Sequence, residues 1–324
     1  MAFPNVTGRV LVTGANGFVG SALVRYLAAR ASVSAASRHR HLVYPDGVVA
    51  ALLTEEGVLS DESALQGVQV VVHCAGRAHV MRERATDPLM EFRRVNVANT
   101  LALAKQASLA GVERFVFLSS VKVHGEQAEP NRPFRADDPP APQDAYALSK
   151  LEAELALRAL SAETGLQVVI IRMPLVYGPG VKANFHTMLR WVRAGVPLPF
   201  GALRNRRSLI ALDNLVSLIE VCTWHPDAAG QVLLASDGVD LSTADLLRQL
   251  AQGMERPSRL LRISPTLLGF AASAVGRPDL WQRLGGSLCV DMEPTRRLLG
   301  WAPPVDARVA LEQTARAFMA GEGW

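Results

Sequence analysis

The segment RVLVTGANGFVG, residues 9–20, decides how the N-terminal part of this chain folds. Its first five residues, Arg9–Thr13, are mainly apolar and β-branched, which predicts a buried strand. Glycines follow at positions 14, 17 and 20, and a helical pattern then runs from Ser21 to Ala29. In a strand–turn–helix unit, this glycine spacing allows a tight turn, close approach of a pyrophosphate, and close packing of helix on strand. The segment therefore predicts a dinucleotide-binding site.

Four further apolar segments are predicted to be strands, and helical patterns separate them along the chain. They are Ser32–Ala36, Val70–Gly76, Arg114–Ser120 and Gln167–Arg172. Strands that alternate with helices indicate a parallel sheet with right-handed crossovers. The predicted fold is therefore α/β, a doubly wound parallel sheet of the Rossmann type.

The alternation of strands and helices lapses after Gly180, which predicts a second lobe. We expect a dinucleotide-binding domain over residues 1–176, with a returning segment near 208–232, and a smaller mixed α/β substrate lobe over 177–324. A strand over Ser208–Leu212 is expected to precede a helix capped by Asp213 and Asn214, and an amphipathic helix is expected from Asp306 to Phe318. The apolar stretch 260–275 is interpreted as core of the small lobe, with a membrane-surface role as the alternative.

The composition argues against several functional classes. With 34 basic and 30 acidic side chains, the net charge is +4, and no basic block with interleaved aromatics suggests nucleic-acid binding. The three cysteines are scattered, which predicts a reducing compartment without disulfides or structural zinc. The seven histidines are equally dispersed, so no metal site is expected. Neither a signal peptide nor an apolar stretch of membrane-spanning length is recognisable, and we expect a soluble, cytoplasmic protein.

A pair of residues suited to proton transfer lies in the middle of the chain, Tyr146 and Lys150. They belong to a helical pattern that extends to Leu160, with Asp144 as the predicted N-cap. A spacing of four places the phenol and the amine on one face of the helix. Because a cation favours the phenolate, we expect the pKa of Tyr146 to be lowered. The pair therefore indicates general acid–base chemistry near neutral pH.

The end of the second strand bears on the choice of cofactor. NAD-binding sites usually place an acidic residue there, whereas sites for NADP place a cation or a small hydroxyl group for the 2′-phosphate. Ser37 and Arg38 occupy this position, with Arg40 nearby. The sequence therefore favours NADP(H), with NAD(H) as the alternative. His73 and His79, near the third strand, are interpreted as structural.

These motifs, in this order and spacing, resemble those of the extended short-chain dehydrogenase/reductase family. The family contains nucleotide-sugar epimerases, dehydratases and reductases, and the resemblance spans nearly the whole chain. The motifs that carry it are Gly14-x-x-Gly17-x-x-Gly20, Ser119-Ser120, Tyr146-x-x-x-Lys150, RMPLVYGPG at 172–180, RSLIALDNL at 207–215 and LLGWAP at 298–303.

The resemblance implies a role for each matching residue. Tyr146 would be the acid–base residue, Lys150 would hold the nicotinamide ribose, and Ser120 would hydrogen-bond the reacting oxygen. The cofactor-binding set would be Gly14, Asn16, Gly17, Phe18, Val19, Gly20, Ser37, Arg38, Leu59, Cys74, Ala75, Gly76, Asn96, Tyr146, Lys150 and Pro174. The substrate-binding set would be Ser120, Val121, Lys122, Tyr146, Asn184 and Arg207. Arg207 would bind the nucleotide diphosphate, with Arg204 and Arg206 as possible helpers, and a homodimer is implied.

Departures from the family pattern narrow the expected reaction. Val121 and Lys122 stand where the dehydratases have Asp-Glu, which makes 4,6-dehydration unfavourable. Val58 replaces the acidic residue expected near the adenine, just before Leu59, and Leu175 replaces an asparagine of many epimerases.

Two reactions remain open at carbon 4 of a UDP-linked N-acetylhexosamine or its 4-keto-6-deoxy derivative. Because Arg38 favours NADP, we expect an NADPH-dependent 4-keto reductase of surface-polysaccharide synthesis, with a 4-epimerase holding NAD as the alternative. The segment SSVKVHGE at 119–126 is similar to that of a subgroup that includes UDP-N-acetylquinovosamine dehydrogenase and contains both activities. A non-catalytic NADP-sensing regulator and an oxidoreductase for a non-sugar ketone are further alternatives.

Overall fold

The computed structural model describes residues 8–40, 42–78, 87–129, 132–274, 276 and 278–322. Ten strands lie in the described part of the chain. They are β1 (Arg9–Thr13), β2 (Ser32–Ser37), β3 (Val49–Leu52), β4 (Val68–His73), β5 (Arg114–Ser120), β6 (Gln167–Met173), β7 (Leu175–Tyr177), β8 (Arg207–Ala211), β9 (Val232–Leu234) and β10 (Asp240–Leu241).

Eleven α-helices lie in the same described ranges. They are α1 (Phe18–Ala28), α2 (Pro88–Arg93), α3 (Asn99–Leu109), α4 (Ala145–Thr164), α5 (Ala183–Arg193), α6 (Leu212–Trp224), α7 (Thr243–Gly253), α8 (Pro265–Ala274), α9 (Pro278–Gly285), α10 (Glu293–Leu299) and α11 (Ala307–Ala320).

Seven strands form one sheet in the order β3-β2-β1-β4-β5-β6-β9, and every neighbouring pair is parallel. The order reverses between β1 and β4, and this reversal opens a crevice at the carboxyl ends of the strands. A second sheet has the order β10-β8-β7, with β7 and β8 parallel and β10 antiparallel. The predicted doubly wound Rossmann-type fold is confirmed.

Alternating side chains of the large sheet enter two different cores. Val10 and Val12 of β1 pack with residues of α1 and α6, whereas Leu11 faces the opposite side and packs with residues of α3 and α4. Because helices cover both faces, the central strands carry continuous apolar runs, such as Val10–Val12 in β1 and Val70–Val72 in β4, instead of an alternation. Helix α6 contributes to the first core, and β9 forms one edge of the large sheet. A third core, around Tyr177 and Phe185, fills the smaller lobe.

Three helix starts differ from the sequence predictions. Helix α1 begins at Phe18, three residues earlier than expected, because Gly17 takes the N-cap position. The helix expected to open at Asn96 begins at Pro88 and passes through a π-helical segment, Arg94–Ala98. Asp213 and Asn214 lie in the first turn of α6, whose N-cap is Ala211.

The apolar stretch 260–275 was predicted to be core, and for α8 this prediction is wrong. None of the side chains of α8 is buried, and Leu267 and Phe270 are 59% and 73% exposed. Leu260 does pack against the small-lobe core, while Val275 and His79 lie outside the described residues. In the described part of the chain, no helix combines the length and the apolar character needed to cross a bilayer.

Candidate active site

The glycine turn after β1 is packed so tightly that two of its glycines admit no side chain. Gly14 has φ +62°, and a Cβ there would lie 2.8 Å from the Ala75 nitrogen. A Cβ on Gly20 would lie 2.2 Å from the Gly14 oxygen, inside van der Waals contact. Gly14 therefore holds the turn against the carboxyl end of β4, and Gly20 lets α1 approach the turn.

The first turn of α1 presents backbone N–H groups at the mouth of the crevice. Its N-cap Gly17 is exposed, and no side chain caps the helix. A Cβ on Gly17 would meet only the Gly14 oxygen, at 3.1 Å, so the space in front of the helix end is open. Uncapped N–H groups and the helix dipole attract anions, and the turn therefore fits a pyrophosphate.

The remaining predicted cofactor residues surround this crevice. Asn16 is exposed in the turn, Phe18 and Val19 are partly buried in α1, and Cys74, Ala75 and Gly76 follow β4 directly. Pro174 joins β6 to β7, and the backbone of Leu59 is hydrogen-bonded to the Gln106 side chain through both N and O. The structure thus brings most of the set to the carboxyl edge of the sheet, while Leu59 is buried beside α3.

The surroundings of Arg38 do not provide an uncompensated cation for a 2′-phosphate. The Arg38 Nη1 atom lies 3.5 Å from the carboxylate of Glu55, and both side chains are largely exposed. The Ser37 side chain is buried and accepts a hydrogen bond from the His39 backbone. A 2′-phosphate near Arg38 would therefore also meet the negative charge of Glu55.

Helix α4 carries the residues predicted to transfer the proton. As predicted, Asp144 is its N-cap and accepts a 2.7 Å hydrogen bond from the Ala147 nitrogen. Tyr146 is half-buried near Ser120, while Lys150 is buried, with Nζ 4.3 Å from the centre of the Phe117 ring. The structure therefore brings the phenol, the amine and the Ser120 hydroxyl to the end of β5.

The Lys150 amine also reaches the cofactor side of the crevice. A Cβ built on Gly76, just after β4, would lie 3.5 Å from Lys150 Nζ and 3.3 Å from Asn96 Oδ1. Asn96 is buried, accepts from the Arg77 nitrogen at 2.7 Å and donates to the Ser149 hydroxyl at 3.0 Å. The π-helical segment around Asn96 is thereby fixed to both the β4 loop and α4.

The expected lowering of the Tyr146 pKa is not found. Burial is the largest influence and raises the pKa of Tyr146 to about 12, although the hydrogen bond with Ser120 acts in the opposite direction. Burial also lowers the pKa of Lys150 to about 8. Desolvation disfavours the charged form of each group, and Lys150 is not among the main influences on the pKa of Tyr146. In this environment the phenol is protonated at neutral pH.

A buried ion pair next to the predicted acid–base groups was not anticipated from the sequence. Glu154, one helical turn beyond Lys150, binds Arg172 at 2.6 Å and accepts a 2.5 Å hydrogen bond from Ser119. Arg172 Nη1 also lies 2.8 Å from the Nε2 atom of His124. The repeated spacing of four through Tyr146, Lys150 and Glu154 was the available signal, but the position of Arg172 depends on the fold.

Val121 and Lys122 follow Ser120 on a short 3-10 helix, and their side chains have different surroundings. Val121 is buried, whereas Lys122 Nζ lies 2.5 Å from Glu126 and 2.8 Å from Asp144. Lys122 therefore joins the end of β5 to the start of α4, and its charge is matched by two carboxylates.

Arg207 is the predicted substrate residue whose surroundings best fit an anion. The side chain is part-buried at the start of β8, and its Nη1 donates to the Gly286 carbonyl at 3.0 Å. Within the described residues its guanidinium forms no ion pair, and burial lowers the Arg207 pKa. Arg206, by contrast, is exposed and bound to Asp240, and Arg204 and Asn184 are also exposed.

His73 is held in the sheet by two hydrogen bonds, and this explains why it is structural. Its Nδ1 lies 2.8 Å from the Thr13 hydroxyl and its Nε2 lies 3.0 Å from the Thr100 hydroxyl. Burial, aided by the charge of Lys150, lowers the pKa of His73 to about 3.

This buried histidine predicts acid sensitivity. Since an unfolded histidine has a pKa of about 6.5, the unfolded chain binds an extra proton between pH 6.5 and 3. The free energy of unfolding should therefore fall as the pH decreases through this window, by about 2 kcal/mol at pH 5 from His73 alone. Urea unfolding at pH 7.5 and 5.0 should show a smaller difference for His73→Gln than for wild type. His39→Gln, at an exposed position, is the control, and equal differences in all three proteins would contradict the prediction.

The described residues contain no group of three or more His, Cys, Asp or Glu side chains placed to hold a metal ion. The three cysteines, Cys74, Cys222 and Cys289, are free thiols. The groups near the end of β5 are the Ser120 hydroxyl, the Tyr146 phenol and the Lys150 amine.

Comparison with known proteins agrees with this geometry. The family model described as NAD dependent epimerase/dehydratase family matches residues 10–233. A UDP-glucose 4-epimerase of Vibrio cholerae is 45% identical over 315 residues, which cover 96% of this chain and 95% of that protein. An N-acetyl-alpha-D-glucosaminyl-diphospho-ditrans,octacis-undecaprenol 4-epimerase of Escherichia coli O157:H7 is 27% identical over 269 residues, covering 80% of this chain and 77% of that protein.

Solved structures show the same likeness. MoeE5 in complex with UDP-glucose and NAD is 25% identical, has a TM-score of 0.76, and matches 97% of this chain and 99% of its own. This chain is an enzyme of the nucleotide-sugar type, and it belongs to the NAD-dependent epimerase/dehydratase family.

Proposed function

We propose that the protein is a 4-epimerase of UDP-linked hexoses that keeps NAD bound through the reaction. The observation that carries this choice over a reductase is the 45% identity, along 96% of the chain, to a UDP-glucose 4-epimerase. A second relative is also named a 4-epimerase. The Glu55 carboxylate beside Arg38 supports NAD, because it would repel the 2′-phosphate of NADP.

In this mechanism each residue has a task that its position supports. The glycine turn and the first turn of α1 would bind the pyrophosphate of the cofactor, and Lys150 would hold its ribose. When bound, NAD would supply a reversible hydride acceptor for carbon 4 of the sugar. Tyr146 would take the 4-hydroxyl proton at its phenolic oxygen and give it back, while Ser120 orients the sugar oxygen. Arg207 would pair with the substrate diphosphate.

The raised pKa of Tyr146 means that the phenol must first be deprotonated before it can accept the proton of the sugar 4-hydroxyl. A phenol must lose its proton before it can act as a base, and a pKa of about 12 leaves little phenolate at neutral pH. The positive charge of an oxidised nicotinamide ring would favour the phenolate. We therefore propose that the base form of Tyr146 arises when the oxidised cofactor is bound.

The decisive experiment is to incubate purified protein, without added cofactor, with UDP-glucose or UDP-N-acetylglucosamine. The expected product is the corresponding galacto isomer, separated by anion-exchange chromatography and identified by NMR. Release of NAD from heat-denatured enzyme would support retention of the cofactor. If neither UDP-sugar is converted into its galacto isomer, with or without added NAD, the epimerase proposal is contradicted.

The second candidate is the NADPH-dependent 4-keto reductase, which the pair Ser37-Arg38 favours. It predicts stoichiometric oxidation of NADPH on addition of UDP-4-keto-6-deoxy-N-acetylglucosamine, with NADH tested in parallel. Consumption of NADPH without interconversion of the UDP-hexoses would establish the reductase instead. We also propose that the substrate carries an N-acetyl group, that the protein forms a homodimer, and that it acts in the cytoplasm in surface-polysaccharide synthesis.

Arg207→Ala tests the diphosphate site. A charged group that pairs with phosphate contributes about 1.5–3 kcal/mol, so we expect KM for the UDP-sugar to rise by about 10- to 150-fold while kcat changes much less. The matched control is Arg206→Ala, because Arg206 is adjacent, exposed and already paired with Asp240. Steady-state kinetics and calorimetric titration with UDP measure both effects. An unchanged KM in Arg207→Ala would remove Arg207 from the proposed site.

A further inference from the structure

Helix α8 is apolar and yet uncovered. Its sequence, PTLLGFAASA, contains no charged residue, and none of its side chains is buried. Leu267 and Phe270 are 59% and 73% exposed. A helix that is apolar on all sides is normally buried in a core or in lipid, and a contiguous apolar patch on a surface marks an interaction site.

One side of α8 packs on α9, and this contact fixes its position. A Cβ on Gly269 would lie 2.9 Å from Trp281 Nε1, so the two helices approach closely at this glycine. The contact leaves Leu267 and Phe270 exposed to solvent. The hairpin α8–α9 thus holds an apolar surface outside the small-lobe core.

A basic segment, residues 256–262, leads into α8 and is joined to Leu198 by backbone hydrogen bonds. The Leu198 nitrogen donates to the Arg259 carbonyl at 2.9 Å, and the Leu261 nitrogen donates to the Leu198 carbonyl at 2.8 Å. Leu260 packs inward against the small-lobe core, whereas Leu261 is 52% exposed. The backbone pairing therefore fixes which side chains of this segment face outward.

The charges of this surface are predominantly positive. Arg256, Arg259 and Arg262 are exposed, and in the described ranges none of them forms an ion pair; Arg259 Nη1 donates to the Gly195 carbonyl at 3.3 Å. Between residues 255 and 274 the one acidic side chain is Glu255. Exposed apolar side chains beside unpaired arginines match the two parts of an anionic bilayer surface, the acyl boundary and the phosphate headgroups.

We propose that α8 and the segment 256–262 form a docking surface for an anionic phospholipid bilayer. With ten residues and a rise of about 1.5 Å per residue, α8 is about 15 Å long, which is half the thickness of a bilayer core, so it would lie along the interface. Leu261, Leu267 and Phe270 would enter the acyl boundary, and the arginines would contact phosphate groups. This proposal does not depend on which sugar the enzyme converts.

Docking at this surface would bring the substrate site close to the membrane. The hairpin ends at Gly285, and the carbonyl of the next residue, Gly286, accepts the hydrogen bond from Arg207. The Asn205 amide also donates to the Gly286 carbonyl, at 3.1 Å. The docking surface and the proposed diphosphate residue are thus joined by α9.

The test is co-sedimentation of the full-length protein with vesicles. We expect binding to vesicles of phosphatidylglycerol and phosphatidylethanolamine, weaker binding to phosphatidylcholine alone, and a decrease at 0.5 M salt because the contact is partly electrostatic. The double variants L267S/F270S and R259E/R262E should each lower the partition coefficient about tenfold or more.

Two control variants make the same kinds of substitution at exposed positions outside the docking surface. Val43→Ser removes an apolar side chain that is 99% exposed, and Arg308→Glu reverses an exposed charge in the first turn of α11. Both should bind vesicles like wild type. Circular dichroism melting and the epimerase assay in vesicle-free buffer show that each variant is folded, and they keep this test separate from that of the proposed function.

Three results would overturn the proposal. One is that wild type does not sediment with the anionic vesicles, and another is that the two double variants bind as strongly as the controls. The third is that L267S/F270S changes the oligomeric state in gel filtration without changing vesicle binding. That outcome would assign α8 to contact with a second copy of the chain.

Discussion

Tyr146→Phe is expected to lower kcat by about 10²- to 10⁴-fold, which is the range for loss of a positioned acid–base group. The substitution removes the phenolic hydroxyl and leaves the ring, so no cavity forms at the start of α4. Ser120 and Lys150 remain, but the phenolic hydroxyl that would carry the proton to and from the sugar oxygen is lost. Steady-state kinetics with the UDP-sugar measures the loss.

The same variant should bind NAD almost as tightly as wild type, since the glycine turn and the end of α1 are untouched. Calorimetric titration checks this. Tyr26→Phe is the matched control: it also removes a half-buried hydroxyl, one that donates to Glu220 at 2.7 Å outside the crevice. A Tyr146→Phe enzyme with kcat within a factor of about three of wild type would refute the assignment of Tyr146 as acid–base residue.

Arg172→Met is expected to produce the largest loss of stability, about 3–5 kcal/mol in the free energy of unfolding. Glu154 and Arg172 are 1% and 5% exposed, so the substitution leaves a carboxylate in the interior without its cation. The loss should be largely recovered in E154L/R172M, because replacing both partners with apolar side chains removes the uncompensated charge. Chemical denaturation of the three proteins provides the comparison.

A second ion pair of the same length gives the control. Arg93 and Glu152 also approach to 2.6 Å, but their side chains are 49% and 27% exposed. Arg93→Met should change the free energy of unfolding little, because solvent screens an exposed pair and rehydrates the remaining partner. Equal effects of Arg93→Met and Arg172→Met would show that burial is not the cause.

Local sequence patterns were sufficient to predict the glycine turn and the start of α4. The glycines at 14, 17 and 20 predict the turn because each position has its own geometric requirement, and Asp144 predicts the start of α4 because its carboxylate caps the helix. The helix period then places Tyr146 and Lys150 on one face. All of these features depend on residues that lie within a few positions of one another, so the spacing of residues in the sequence is enough to predict them.

Other features depend on contacts between distant segments. The Glu154–Arg172 pair joins residues on different elements, and the raised pKa of Tyr146 depends on how completely its neighbours exclude water. Arg38 is paired with Glu55, seventeen residues away, so its charge could not be judged from the strand end alone. The apolar character of α8 was visible in the sequence, but composition does not reveal whether another element covers it.

The regular spacing of Tyr146, Lys150 and Glu154 along α4 has an evolutionary consequence. At about 1.5 Å per residue, the helix sets these groups about 6 Å apart in turn, so one helix face aligns the proton carrier, the amine and the buried carboxylate. Insertion or deletion of a single residue between positions 146 and 154 would rotate everything beyond it by about 100° and separate the groups. Descendants of this chain can therefore vary the length of the surface loops, but this nine-residue interval should be inherited without gaps.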